Sequence, residues 1–240
     1  MNDETRRLSP QRLVLLDLDG TLLASRGVGR RALEVAFEDL YGWGEATGGL
    51  SFGGLTDPLI LQAVFTSHGE SAERAVDEND RVMARYLEAL DGLLAQEPNA
   101  VWSLPGVEAL LDAVVAHPDC VVGVLTGNVE GGARRKLRAA GLGEAFFEVG
   151  AFGDEAPTRN DLLPVALNRA NRGRDPWLVA QQVVIVGDTP RDVAVARAHG
   201  ARVLGVSTGA TPHDLLAASE PDVLLRSLES TEAVLAAILD

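Results

Sequence analysis

Residues 13–22 read Leu13-Val14-Leu15-Leu16-Asp17-Leu18-Asp19-Gly20-Thr21-Leu22, an apolar run that breaks off into two carboxylates, a glycine and a hydroxyl. A short continuous apolar run bounded by a turn signal predicts a fully buried strand. Such strands belong to parallel sheets covered on both faces. Asp17 and Asp19 are two apart, so on extended backbone their side chains share a side, and Gly20 permits a sharp turn straight after them. Two carboxylates at one strand tip repel each other unless a cation or a proton joins them. A hard divalent ion such as Mg²⁺, which takes few protein ligands and accepts substrate phosphate oxygens, suits that role. The plainer reading is a strand that runs into an Asp-Gly turn.

Further apolar runs occupy 120–125, 182–187 and 202–206, with weaker ones at 146–152 and 222–225. They alternate with amphipathic stretches at 106–116, 130–140, 160–171 and 190–199. This alternation predicts an α/β fold with a doubly wound, Rossmann-like parallel sheet, in which ligands bind beyond the carboxyl ends of the strands. Residues 25–103 break the pattern. Val28, Ala32, Val35, Ala36 and Leu40 step at helical spacing, as do Val82, Tyr86, Leu90, Leu93 and Leu94, and a third helix is expected after Pro58. No strand signal interrupts the block, and turn-like Glu97-Pro98-Asn99 and Leu104-Pro105-Gly106 close it. The expected organisation is an α/β core of residues 1–24 and 104–240, with an all-helical domain, 25–103, inserted after the first strand and hanging over its tip.

The 240 residues are 46% hydrophobic and 23% charged, with a formal net charge of −14, so nucleic acid and anionic membrane surfaces are not expected partners. A site for an anionic substrate must then be built from local positive potential. The polar opening MNDETRRLSPQR lacks an apolar targeting core, and no run reaches spanning length, which points to the cytoplasm. Cys120 is the only cysteine, which leaves no internal disulfide or thiolate cluster. Of the 21 basic residues, Lys136 alone is lysine. Within Ala133-Arg134-Arg135-Lys136-Leu137-Arg138 it reads as part of a solvated helix face.

Two other strand ends carry matching chemistry. Thr126-Gly127-Asn128 offers a hydroxyl and successive backbone donors that suit a phosphate, although it is also ordinary turn vocabulary. Gly187-Asp188-Thr189-Pro190-Arg191-Asp192 adds Asp188 to the carboxylate cluster and places Pro190 at the start of a helix. Asp192 has two readings: the partner of Thr189 in a capping box, or an orienter of a metal-bound water.

Taken together, Asp17-Leu18-Asp19-Gly20-Thr21, Thr126-Gly127-Asn128 and Gly187-Asp188-Thr189-Pro190-Arg191-Asp192, in this order and spacing, resemble the haloacid dehalogenase-like superfamily. The closest likeness is to the phosphoglycolate phosphatase and β-phosphoglucomutase branch, which carries a helical cap. The resemblance implies Asp17 as nucleophile, forming an aspartyl phosphate, and Asp19 as the acid and base. It implies Mg²⁺ held by Asp17, Asp188 and the Asp19 backbone carbonyl, with Thr126, Gly127 and Asn128 gripping the phosphoryl oxygens. The family also supplies a lysine before the helix after the third core strand, where this chain reads Gly153-Asp154-Glu155-Ala156-Pro157-Thr158-Arg159. Arg159 is the expected replacement, although it is not an ammonium of equal reach. In the cap, Gly54, Thr56 and Asp57 resemble a substrate-contacting loop, with helix N-capping by Thr56 or Asp57 as the alternative.

The implied function is a Mg²⁺-dependent phosphatase for a small phosphorylated metabolite, working as a monomer or homodimer. A β-phosphoglucomutase-like phosphotransferase shares the core constellation, and a phosphoryl-binding protein without turnover is the reading from another class. A dehalogenase needs neither Asp19 nor Asp188. A phosphonate hydrolase of the superfamily needs a cap lysine, which 25–103 lacks.

Overall fold

A computed structural model describes residues 11–143, 149–175 and 177–240. The chain forms β1 (Arg12–Leu16) and a short β2 (Leu23–Ser25), then α1 (Val28–Tyr41), α2 (Asp57–Ser67), α3 (Ala72–Asp77) and α4 (Asn79–Gln96). After β3 (Val101–Ser103) come α5 (Val107–Ala116), β4 (Cys120–Val124), α6 (Glu130–Ala139) and α7 (Leu162–Ala170). They are followed by β5 (Val183–Gly187), α8 (Pro190–His199), β6 (Arg202–Val206), α9 (His213–Ala218), β7 (Val223–Leu225) and α10 (Thr231–Leu239).

Five strands make one sheet in the order β4-β1-β5-β6-β7, every pairing parallel. Leu13 to Leu16 of β1 are fully buried because the sheet is covered on both faces. Val14 and Leu16 join one core with Leu110 of α5, Leu137 of α6 and Ile238 of α10. Leu13 and Leu15 join the other with Ala166 of α7 and Val195 of α8. Each such large side chain contributes about 1.5–3 kcal/mol relative to exposure, which explains why the run holds no polar residue until the strand ends at Asp17.

The fold is the doubly wound α/β sheet expected, with two local differences. Residues 25–103 do carry strand at their margins: β2 pairs antiparallel with β3, Leu23 opposite Ser103 and Ser25 opposite Val101. Strands of three residues are too short for a period-two pattern to register in sequence. This ribbon ties the point where the chain leaves the sheet to the point where it returns, and α1 to α4 hang between its strands. The run expected at 146–152 contributes one parallel bridge, Leu125 to Ala151; its residues 146–148 lie outside the described residues. Among the helices, α1 lies along α4, and Phe37 stacks on Trp43 at 5.7 Å and meets Phe65 edge-on at 5.7 Å. Among the described residues no helix is long and apolar enough to cross a membrane.

Candidate active site

Four neighbouring strands end on one side of the sheet, and the residues that follow them converge: Thr126 after β4, Asp17 after β1, Asp188 after β5, and Thr208-Gly209 after β6. The Asp17 backbone N–H donates to the Val186 carbonyl at 2.9 Å, extending the β1–β5 ladder and fixing the first carboxylate. Gly20 follows with φ of 89°. A Cβ there would strike the Asp188 carboxylate, so this position needs glycine both for its left-handed backbone and for space. Gly209, which sequence reading did not single out, also lies against Asp188, where a Cβ would overlap Oδ2. Its neighbour Thr208 donates its hydroxyl to the Gly20 carbonyl at 2.6 Å. No local motif marks this loop; the signal was only its place after a strand adjoining the Asp188 strand.

Arg159, the replacement the resemblance implies for the family's lysine, lies beside Asp17. Its side chain is 7% exposed, and Nη2 lies 3.0 Å from Asp17 Oδ1 and 2.5 Å from Asp192 Oδ1. Nε of the same guanidinium is buried without a hydrogen-bond partner. Asp192 fulfils the capping-box reading. Its Oδ2 accepts from the Thr189 backbone N–H at 3.0 Å and from the Thr189 hydroxyl at 2.7 Å, while its other oxygen takes Arg159.

Lys136 corrects the sequence reading. It is buried, not solvated. Its ammonium donates to Asp19 Oδ1 at 3.0 Å, Asp19 Oδ2 at 2.8 Å and Asn128 Oδ1 at 2.7 Å, which uses all three donors. The signal was present in the spacing: Ala133, Lys136 and Leu137 share the buried face of α6, and the surrounding arginines drew attention from it. The side-chain amide of Asn128, expected to grip phosphate, instead donates to Asp19 Oδ2 and to Thr126 Oγ1, both at 2.8 Å. Thr126 Oγ1 thus accepts and keeps its own proton for a further acceptor.

The loop before α2 closes over this constellation. Gly127 is held to glycine because the Leu55 carbonyl occupies the space of a Cβ, and its carbonyl accepts from the Asp57 N–H at 2.7 Å. Thr56 caps α2, its hydroxyl accepting from the Leu59 N–H at 3.4 Å, and it is absent from the lining of the cavity beneath. Asp57 does line that cavity, yet its Oδ2 accepts from the Val129 N–H at the start of α6, at 2.9 Å; burial pushes its carboxyl up to about 6. Gly54 is a lining residue. Between helices and strand tips lies a cavity of about 510 Å³ reached by Asp17, Asp19, Asn128, Lys136, Arg159 and Asp188.

Charge at the strand tips does not balance. One oxygen each of Asp17, Asp188 and Asp192 falls within 4.8 Å of the others, and Arg159 is the cation that touches two of them. Burial raises Asp17 to about 7, with Arg159 opposing and Asp192 adding to the shift. Burial, then the charges of Asp17 and Asp192, raise Asp188 to about 8. A buried all-oxygen donor set with too little positive charge fits a hard divalent cation. Asp19 is in the opposite condition. Burial would raise it, but Lys136 and Asn128 outweigh that and hold its carboxyl below the usual range.

A family model described as HAD-hydrolase-like, HAD standing for haloacid dehalogenase, matches residues 161–231. The phosphoglycolate phosphatase of Rhodospirillum rubrum is 33% identical over 199 residues, covering 82% of this chain and 79% of that protein. Among solved structures, a hydrolase from Pseudomonas syringae has a TM-score of 0.69 at 20% identity, covering 95% of this chain and 99% of the other. CbbY from Rhodobacter sphaeroides in complex with phosphate has a TM-score of 0.69 at 21% identity, covering 92% and 96%.

Proposed function

The chain belongs to the haloacid dehalogenase-like hydrolases, in the branch of the phosphoglycolate phosphatases and β-phosphoglucomutases, and is a phosphatase; from that premise we propose that it hydrolyses a small phosphate monoester through an aspartyl phosphate formed on Asp17, with Mg²⁺ as cofactor. The observation that carries this reading is the trio of buried carboxylates at the strand tips, two of which share a single arginine.

In this reading the Asp17 carboxylate attacks phosphorus. Arg159 faces the same group and stabilises the charge that spreads over the phosphoryl oxygens. The Thr126 hydroxyl, with its proton uncommitted, donates to one of those oxygens. Asp19, ionised in its contacts with Lys136 and Asn128, takes up a proton from water as the substrate enters, gives it to the leaving oxygen, and then takes one from the water that attacks the phosphorylated Asp17. Lys136 and Asn128 hold the Asp19 carboxylate in one orientation for both steps, which answers the precision that proton transfer demands. The cation would be held by Asp17, Asp188 and the Asp19 backbone carbonyl. When bound, it supplies positive charge to the crowded carboxylates and to the phosphoryl oxygens. Residues 25–103 serve as a lid that excludes water from the cavity during transfer, joined to the core through the Asp57 contacts with Gly127 and Val129.

Phosphate release from a panel of monoesters tests the reading. Turnover is expected with Mg²⁺ and is lost on adding EDTA; full activity in EDTA would overturn the metal assignment. Gly209→Ala gives a finer check, because its Cβ displaces the Asp188 carboxylate. The Mg²⁺ concentration for half-maximal activity is expected to rise about 10–100-fold, the cost typical of disturbing a ligand's support. An unchanged Mg²⁺ requirement would show that Asp188 is not a ligand.

A further inference from the structure

The strand tips explain how a phosphoryl group is handled but not what it is attached to. The far side of the cavity is formed by the helical block, and its character is apolar. Leu33 of α1, Ile60 of α2 and Met83 and Tyr86 of α4 are all buried and all line the cavity, with Phe52 beside them. The whole cavity, strand-tip end included, is about 510 Å³, within the range of about 300–1,000 Å³ that accommodates drug-sized ligands, and the apolar side chains of its helical side offer more surface than a two-carbon leaving group can cover.

A leaving group with its own carboxylate or second phosphate needs a cation on this side. Among the described residues the cavity's cations are Arg30, Lys136 and Arg159, and each has partners. Arg159 joins Asp17 to Asp192. Lys136 spends its three donors on Asp19 and Asn128, so a substrate carboxylate that drew it away would leave Asp19 without its cation. Arg30 donates to the Thr47 carbonyl and hydroxyl and to the Leu50 carbonyl, at 2.8, 3.1 and 2.7 Å. Its guanidinium carbon also sits 3.9 Å from the centre of the Phe52 ring. Arg30 therefore reads as a strut that shapes the loop before α2. An anionic leaving group entering here would have to draw Arg30 from its contacts with Thr47 and Leu50 while losing its own hydration, a cost that an uncharged apolar group does not meet.

We infer that the leaving group this cavity selects is uncharged and largely apolar, larger than glycolate, so that phosphate monoesters of apolar alcohols are preferred over phosphoglycolate and over sugar bisphosphates. The inference rests on the phosphatase reading above and deepens it. Selection arises from contact with Leu33, Phe52, Ile60 and Met83, while the phosphoryl machinery treats all monoesters alike.

The test compares kcat/KM for 2-phenylethyl phosphate, pentyl phosphate and phosphoglycolate on the full chain with Mg²⁺. All three leave as alkoxides, so the comparison reads the cavity and not leaving-group activation. The two apolar esters are expected to exceed phosphoglycolate by at least about tenfold, the scale on which apolar pockets discriminate. Phosphoglycolate equal or superior would overturn the inference and leave the phosphatase reading intact. Turnover of no monoester would overturn that reading, and this inference with it. Ile60→Ala supplies a check that is independent of how much of the preparation is folded, because it is read as a ratio. The preference for 2-phenylethyl phosphate over phosphoglycolate should fall severalfold to tenfold; an unchanged ratio would show that this wall does not contact the leaving group.

Discussion

Asp17→Asn is expected to abolish turnover of every phosphate monoester, with a loss of at least about 10⁴ in kcat, the scale seen when a catalytic nucleophile is removed. The reasoning is chemical. An amide retains the shape of the carboxylate and its backbone hydrogen bond to Val186, but it is not an anion that can attack phosphorus. The fold should not suffer. Asp17 is one of three carboxylates packed within 4.8 Å of one another, and burial already raises its carboxyl to about 7. Removing its charge relieves repulsion with Asp188 and Asp192, although it also gives up the attraction of Arg159. Thermal unfolding of the variant beside the wild type separates chemistry from folding: an inactive protein with an equal or higher Tm supports the nucleophile assignment. Activity within tenfold of wild type would eliminate the aspartyl-phosphate mechanism.

How far the sequence reveals such a site depends on how each residue is bound to its neighbours in the chain. Asp17 and Asp188 were legible because each follows directly on an apolar strand, and Asp19 because it lies two residues beyond Asp17; a parallel sheet brings such tips together. Arg159 was found only through the family resemblance, which implies a cation before the helix after the third core strand. Lys136 was misread. A charge among arginines looks like a solvated face, and only the helical phase of Ala133 and Leu137, which share its buried side, contradicts that. Gly209 and Thr208 could not be read, since their role depends on the packing of one loop against another. Thr56 shows a different limit: capping and substrate contact call for the same residue type at the same place, and the structure gives its hydroxyl to α2. The β2–β3 ribbon escaped because three residues carry too little pattern to distinguish strand from loop.

The two buried cations make separable contributions, and substituting each in turn tells them apart. Arg159→Ala is expected to lower kcat by about 10²–10³, the cost of losing one preorganised charge stabiliser, because its guanidinium touches the nucleophile Asp17 at 3.0 Å. It also leaves Asp17 and Asp192 without their shared arginine, so stability should fall as well. Arg159→Lys should recover part of the activity, since charge persists while the planar group whose Nη2 joins Asp17 to Asp192 is lost. Lys136→Met should cost about tenfold to a hundredfold in kcat by a different route. It frees the Asp19 carboxylate from a clamp made at 2.8 and 3.0 Å, and a misplacement of about 1 Å can cost about 10². Steady-state kinetics on one monoester, with Tm recorded for each variant, decides the matter. An Arg159→Ala enzyme of wild-type kcat beside a crippled Lys136→Met would transfer the phosphoryl-facing role to the lone lysine. A neutral Lys136→Met would show that Asp19 needs no clamp.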